Sequence, residues 1–235
     1  MMKSTWTAIA LGCGLLLTLV PATAHAAAAT VTFLSGDATV ERAGEKEKLA
    51  EKSEVQQGDV IRTARSARLE LTLSDQSVVR LDGGSEFTLE AASLEGDDKK
   101  FTGKLSFGKI WAKVNSVLGG HSHFDVETQN AVAGVRGTTF RVDAKHDASA
   151  LVRVYAGAVA VAGMRTPRIA HQSGGARHEV PGPQEISKHD YERLLASMMQ
   201  VKVSSTGELG EPEKFSEADD AKDAWVAFNQ QRDGK

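Results

Sequence analysis

The 235-residue sequence has a single cysteine, five prolines and only 6% aromatic residues. That cysteine, Cys13, lies in an apolar N-terminal run. The rest of the chain therefore holds no thiol, which excludes disulfides, thiolate metal sites and cysteine nucleophiles from it. An excess of one charge sign is also missing. Lys and Arg total 28 against 31 acidic residues, a formal charge of -3, which leaves no electrostatic footprint for nucleic acid. The longest apolar run, Ala8 to Val20, has about 13 residues, short of the roughly 20 that cross a bilayer. Catalytic signatures are lacking too: there is no Gly-x-Ser-x-Gly elbow, no His-Glu-x-x-His and no phosphate-cradling glycine loop.

What is present begins with Lys3, the apolar run, Pro21 and the small-residue pattern Ala24-His25-Ala26. These predict a signal peptide over residues 1–26, cut after Ala26. The mature chain is then expected in the periplasm or secreted, with no membrane span after processing. From Thr30 to about Val180 apolar residues alternate with polar ones, as in Ala67, Leu69, Leu71 and Leu73 between Arg68, Glu70, Thr72 and Ser74. Period two means half-buried strands. Gly36, Gly58, Gly108, Gly137 and Gly157 each stand just before an apolar strand, a faint internal echo. The pattern predicts a mainly β domain over 27–186, a single rolled β-sandwich or a β-helix-like stack.

After residue 186 the period changes. Ser187 is placed to cap a helix over 187–202, with Tyr191, Leu194, Leu195 and Met198 on the face that docks on the β body. Residues 203–215 are polar with Gly207, Gly210 and Pro212, a linker composition. A short amphipathic C-terminal helix is expected over 216–235, capped by Ser216, with Ala221, Ala224, Trp225 and Phe228 as its apolar stripe. That stripe either packs on its own domain or, beyond a flexible linker, docks in a partner through Trp225 and Phe228.

Three further groups carry candidate chemistry. His121, His123 and Asp125 alternate, so on a strand they share one face. Two imidazoles at that spacing could bridge a zinc or copper ion, or simply start a solvated strand. Arg136 lies in the turn Gly134-Val135-Arg136-Gly137-Thr138. Its guanidinium can lock the turn by hydrogen bonds to carbonyls or can take a carboxylate or sugar ligand with Gly137 and Thr138. Glu127 and Asp143 are carboxylates without a paired setting. No cofactor is expected and no residue is assigned a catalytic role.

The β region resembles the FecR domain family. The first half of the likeness is Gln57-Gly58-Asp59-Val60-Ile61-Arg62-Thr63, the alternating Ala67 to Leu73, Asp75 to Leu81, and Ser85 to Leu89. The second is Gly108 to Val114, then Phe124 to Val142 with its Val135-Arg136-Gly137-Thr138-Thr139-Phe140 core, and Val152 to Val161. The resemblance spans residues 31 to about 186 and implies an exported sensory-type β domain. Two departures stand out. Gln76 follows Asp75 where the family usually has glycine, which suggests another turn type. The cytoplasmic sigma-regulating region and membrane helix of the regulators that name the family have no counterpart, so that role does not carry over. The expected function is a non-catalytic binding or sensory module of the cell envelope that recognises a protein or glycan partner. The alternative is a periplasmic glycan-active or metal-dependent enzyme, for which His121, His123 and Asp125 are the first place to look.

Overall fold

In a computed structural model of the chain, the described residues are 27–94, 96, 98–115, 122–164 and 192–234. The expected signal peptide, Cys13, His121, Ser187 and Tyr191 lie outside them. Among the described residues no helix is long and apolar enough to cross a membrane.

Among the described residues, seventeen strands form one hydrogen-bonded network arranged as two rows. The first row runs β4 (Glu54–Val55), β1 (Ala29–Ser35), β6 (Arg68–Leu73), β7 (Val78–Leu81), the second half of β9 (Lys100–Lys113), β12 (Thr139–Ala144), β13 (Ala150–Ala156), β16 (Met199–Val203) and β17 (Glu213–Lys214). The second runs β3 (Glu45–Lys48), β2 (Ala38–Arg42), β5 (Val60–Thr63), β8 (Glu86–Ser93), the first half of β9, β10 (His123–Glu127), β11 (Ala131–Val135), β14 (Ala158–Gly163) and β15 (Glu192–Ala196). Among the strands of the described residues only β9 and β10 run parallel. In both rows the strands before β9 in sequence stand on one side of it and those after it on the other.

Alternation places one face of each row inward. Leu69, Leu71 and Leu73 of the first row and Val40, Ile61 and Phe87 of the second belong to a single hydrophobic cluster. Burying a side chain of that size contributes about 1.5 to 3 kcal/mol, so the shared core is what holds the rows together. The expected mainly β fold is thus observed, as a two-row body.

The five glycines of the sequence echo all have positive φ, from 62° at Gly137 to 103° at Gly108. They mark where the chain turns or passes from one row to the other. At Gly108, β9 leaves the second row for the first. A Cβ there would fall 2.5 Å from Ser85 Cα, so the corner requires glycine for both space and conformation. The Ser85 hydroxyl stitches the corner by donating to Asp82 O at 2.8 Å and accepting from Lys109 N at 3.1 Å. Gln76 adopts a left-handed conformation, with φ of 65°, in the turn between β6 and β7. Asp75 fixes it, its carboxylate accepting from Ser77 N at 2.9 Å and Ser77 Oγ at 3.0 Å.

The helix expected over 187–202 is corrected: residues 192–203 form β15 and β16 around Ser197 and Met198. Tyr191, Leu194, Leu195 and Met198 match a helical stripe over too short a window. The period-two run Met199-Val201-Val203 prevails, because β13 offers it unpaired backbone, as β14 does to residues 192–196. Leu195 is fully buried while its neighbour Leu194 is 74% exposed, as strand geometry demands. The linker of 203–215 is partly structured by a bridge from Val203 to Leu209 and by β17. Two short helices follow in place of one, α1 (Glu217–Asp220) and α2 (Ala224–Arg232), the first capped by Ser216 and the second by Asp223.

Candidate functional site

Two faces concentrate the candidate residues. On the outward face of the second row, cross-strand register aligns Asp125 with Gly134, Gly134 with Ala160, and Ala160 with Leu194. Gly134 and the alanines of β14 carry so little bulk that they leave a groove of about 470 Å³. His123 and Asp125 line one side, Leu194 the other, and Arg136 adds a guanidinium to the lining. A Cβ on Gly134 would stand 3.2 Å from Asp125 Oδ1, so the floor is low because this residue is glycine.

Burial raises the Asp125 carboxyl above the usual range, against the opposing pull of His123 and Lys100. Burial also raises Glu127, helped by the nearby Glu90. The groove thus combines an apolar floor and wall with a carboxyl, an imidazole and a guanidinium. Among the described residues no group of three His, Cys, Asp or Glu side chains is placed to hold a metal.

Of the sequence candidates, the structure brings His123, Asp125 and Arg136 to one groove, with His121 outside the described residues. Arg136, in the turn before β12, is exposed rather than buried. Thr138, 2% exposed, holds that turn. Its hydroxyl lies 3.2 Å from Arg136 O and 3.0 Å from Ala158 O and shares its proton between them, while Gly137 adopts φ of 62°. Leu194 and the Gly134–Ala160 floor were not legible as site residues, although the alternation Ala158, Ala160, Ala162 is a usable sign of a low outward face.

Trp225 and Phe228 lie on the other face. Trp225 is 1% exposed and clusters with Trp111, Tyr155, Val226, Phe215 and Phe228 on the outside of the first row. The expectation of a partner-docking tail is corrected for this state, because the tail's apolar stripe is satisfied within its own chain. Beneath it one cross-strand rung reads Glu70, Arg80, Trp111, Arg141, Arg153 and Gln200. Arg80 Nε donates to Glu70 at 2.6 Å and its Nη1 to Asp233 at 2.8 Å, and Trp111 Nε1 donates to Asp233 at 3.0 Å. Arg153 and Tyr155 both donate to Asp220, and Arg141 approaches Asp223 to 3.0 Å.

Burial pushes the Glu70 carboxyl up, but hydrogen bonds from Arg232, Arg80 and Thr32 outweigh it and hold it at about 2. Burial raises the Tyr155 hydroxyl, and its bond to the Asp220 carboxylate adds to the effect. Burial of Asp223 is outweighed by the Trp225 N–H and by Arg141 and Lys109, which lower it. Sequence reasoning missed this network because its arginines occupy outward strand positions, which normally read as a wet face.

Fold and faces together define an all-β module with a solvent-open groove on one row and a self-covered ionic face on the other. Residues 59–160 match the family described as FecR protein. Strands β1 to β4 and β15 to β17 lie outside the matched segment but pair into the same two rows. Two crystal structures of a candidate anti-sigma factor from Parabacteroides distasonis, at 1.65 and 2.50 Å resolution, are similar at 22% identity and a TM-score of 0.46. Each comparison covers 66% of this chain and 59% of the other. No curated protein matches the chain.

Proposed function

We propose that this chain is an exported, non-catalytic binding or sensory module of the cell envelope, and that the groove of the second row receives a polypeptide segment of an envelope partner. The observation that carries this reading is the registered row Asp125, Gly134, Ala160, Leu194. It sets an exposed leucine and a raised carboxyl on opposite sides of a floor too low to be filled from within. An aliphatic side chain fits against Leu194 and the alanines, while a backbone amide donates to the Asp125 carboxylate. A glycan is the poorer match, since the one aromatic among the described lining residues, Phe124, is 4% exposed and offers no face for a sugar ring. The FecR family supports a sensory rather than a catalytic role.

A photo-crosslinking residue placed at Leu194 in the full chain, expressed in intact cells, tests the proposal. A discrete adduct to an envelope polypeptide is expected, reduced at least tenfold by Asp125→Lys. Self-links alone, or adducts only to glycan, would overturn it. The export component is read by intact mass: a mature protein beginning near Ala27 is expected, and one retaining Lys3 contradicts it.

A further inference from the structure

The face under α1 and α2 is built in a way that permanent burial does not explain. A sheet face that stays covered is normally apolar, because well-packed hydrophobic residues do as well as or better than buried ion pairs. Here the covered rung places Arg80, Arg141 and Arg153 on three strands around Trp111. The side chains of Arg80 and Arg141 are each 4% exposed. What covers them is slight. α1 has four residues and α2 nine, lengths at which an isolated helix is marginal in water, so the segment takes its shape from the face it lies on. Its strand anchor, β17, pairs at only two positions.

The covering is also complementary in charge and imperfect in detail. Residues 216–233 carry five acids against two bases. Asp220, Asp223 and Asp233 are the groups that meet Arg153, Arg141 and Arg80. Two buried donors nonetheless lack a hydrogen-bond partner among the described residues: Trp225 Nε1, and Arg141 Nη1, which comes near Asp223 without hydrogen-bond alignment. A face tuned only to this segment would have filled both.

We infer that the Arg80–Trp111–Arg141–Arg153 face is a recognition surface for an acidic, aromatic-bearing polypeptide segment of a partner, and that the chain's own residues 216–233 occupy it in cis as a displaceable strap. The inference is independent of the groove, which lies on the other row. Arginine suits the task because its planar fork holds carboxylates bidentately and remains charged when the strap leaves. Trp111 and Tyr155, their rings 4.3 Å apart, supply the flat surface on which an aromatic settles. Being tethered, the strap competes at an effective concentration of about millimolar, so a partner segment gains access only by binding better or by being held nearby.

The test uses the full chain and a fluorescent synthetic peptide of residues 213–235. The peptide is expected to bind the Asp220→Asn/Asp233→Asn chain at least tenfold more tightly than the unmodified chain, since the competing strap is weakened. Adding Arg153→Gln should reverse the gain, and a peptide with its six acids replaced by amides should fail to bind. Equal affinity for the two chains, or undiminished binding of the neutral peptide, would overturn the inference. Hydrogen exchange on the unmodified chain keeps it decidable if the altered chain does not fold. Excess peptide should speed exchange of the α2 amides at least tenfold while those of β7 and β12 stay unchanged, and no acceleration contradicts displacement. A concentration-dependent dimer formed by mutual exchange of tails would overturn the assignment to a separate partner.

Discussion

Replacing Glu70 with glutamine probes the ionic face at its most heavily bonded residue. Glu70 is 7% exposed and receives hydrogen bonds from Arg80 at 2.6 Å, from Arg232 at 2.9 Å through each of two nitrogens, and from Thr32 at 2.9 Å. Its pKa falls from an ordinary 4.5 to about 2. A depressed folded-state pKa stabilises the protein above the unfolded value and loses that stabilisation as pH falls toward the folded one. The shift corresponds to about 3 kcal/mol at pH 7, of which about 2 kcal/mol is gone by pH 3. Glu70→Gln should therefore cost about 3 kcal/mol at pH 7, with Arg80 and Arg232 left short of an acceptor, and only about 1 kcal/mol at pH 3. Urea unfolding of both proteins at the two pH values measures the difference. A loss below 1 kcal/mol at pH 7, or a loss that does not shrink at pH 3, would refute the assignment of this carboxylate as the anchor of the strap.

Three other outcomes follow from the geometry. Gly108→Ala should destabilise by about 2 to 5 kcal/mol in urea unfolding, from the clash with Ser85 and the positive φ together, and a loss under 1 kcal/mol would show that the corner relaxes freely. Gln76→Gly should raise stability by about 1 kcal/mol, read as a higher melting temperature, because glycine accepts the left-handed conformation that glutamine is forced into; no change would mean the Asp75 bonds already offset the strain. Thr138→Val should cost about 1 to 3 kcal/mol in urea unfolding, and a loss under about 0.5 kcal/mol would show that its hydroxyl does not hold the turn.

How far the sequence was readable depends on whether a residue's role is set locally. Leu69, Leu71 and Leu73 announce their strand and its buried face because period two is a local property, and the FecR motifs were visible for the same reason. The glycine echo was noticed but its meaning was not. Nothing in a local window tells a turn within a sheet from a passage between two, and only the assembled rows reveal Gly108 as a corner. The helix misassigned over 187–202 shows the opposite failure. Leu194, Leu195 and Met198 satisfy a helical spacing, while the β14 partners that make Leu194 and Leu195 strand residues lie about 35 residues upstream. The groove was half legible through His123, Asp125 and Arg136. Its floor was not, because small residues become informative only when register sets them side by side. The ionic face was hidden altogether, since arginines on alternate strand positions look solvated until the chain's last residues are laid over them.

The seat of β9 between the two halves of the chain bears on the order in which this protein can be made. Among the described residues, every strand pairing between the segment before residue 100 and the segment after residue 122 passes through that one strand. Strands β1 to β8 pair among themselves in both rows and need only residues up to 113 to complete their side of the body. A nascent chain emerging from its N-terminus can therefore close this half before the rest exists, with mostly short loops to order. β9 then presents two open edges, one in each row, as the template on which β10 and β12 start the second half. The final contacts to form are those of Arg232 and Asp233 with Glu70, Arg80 and Trp111, which carry the end of the chain back across the seam to the half that was finished first.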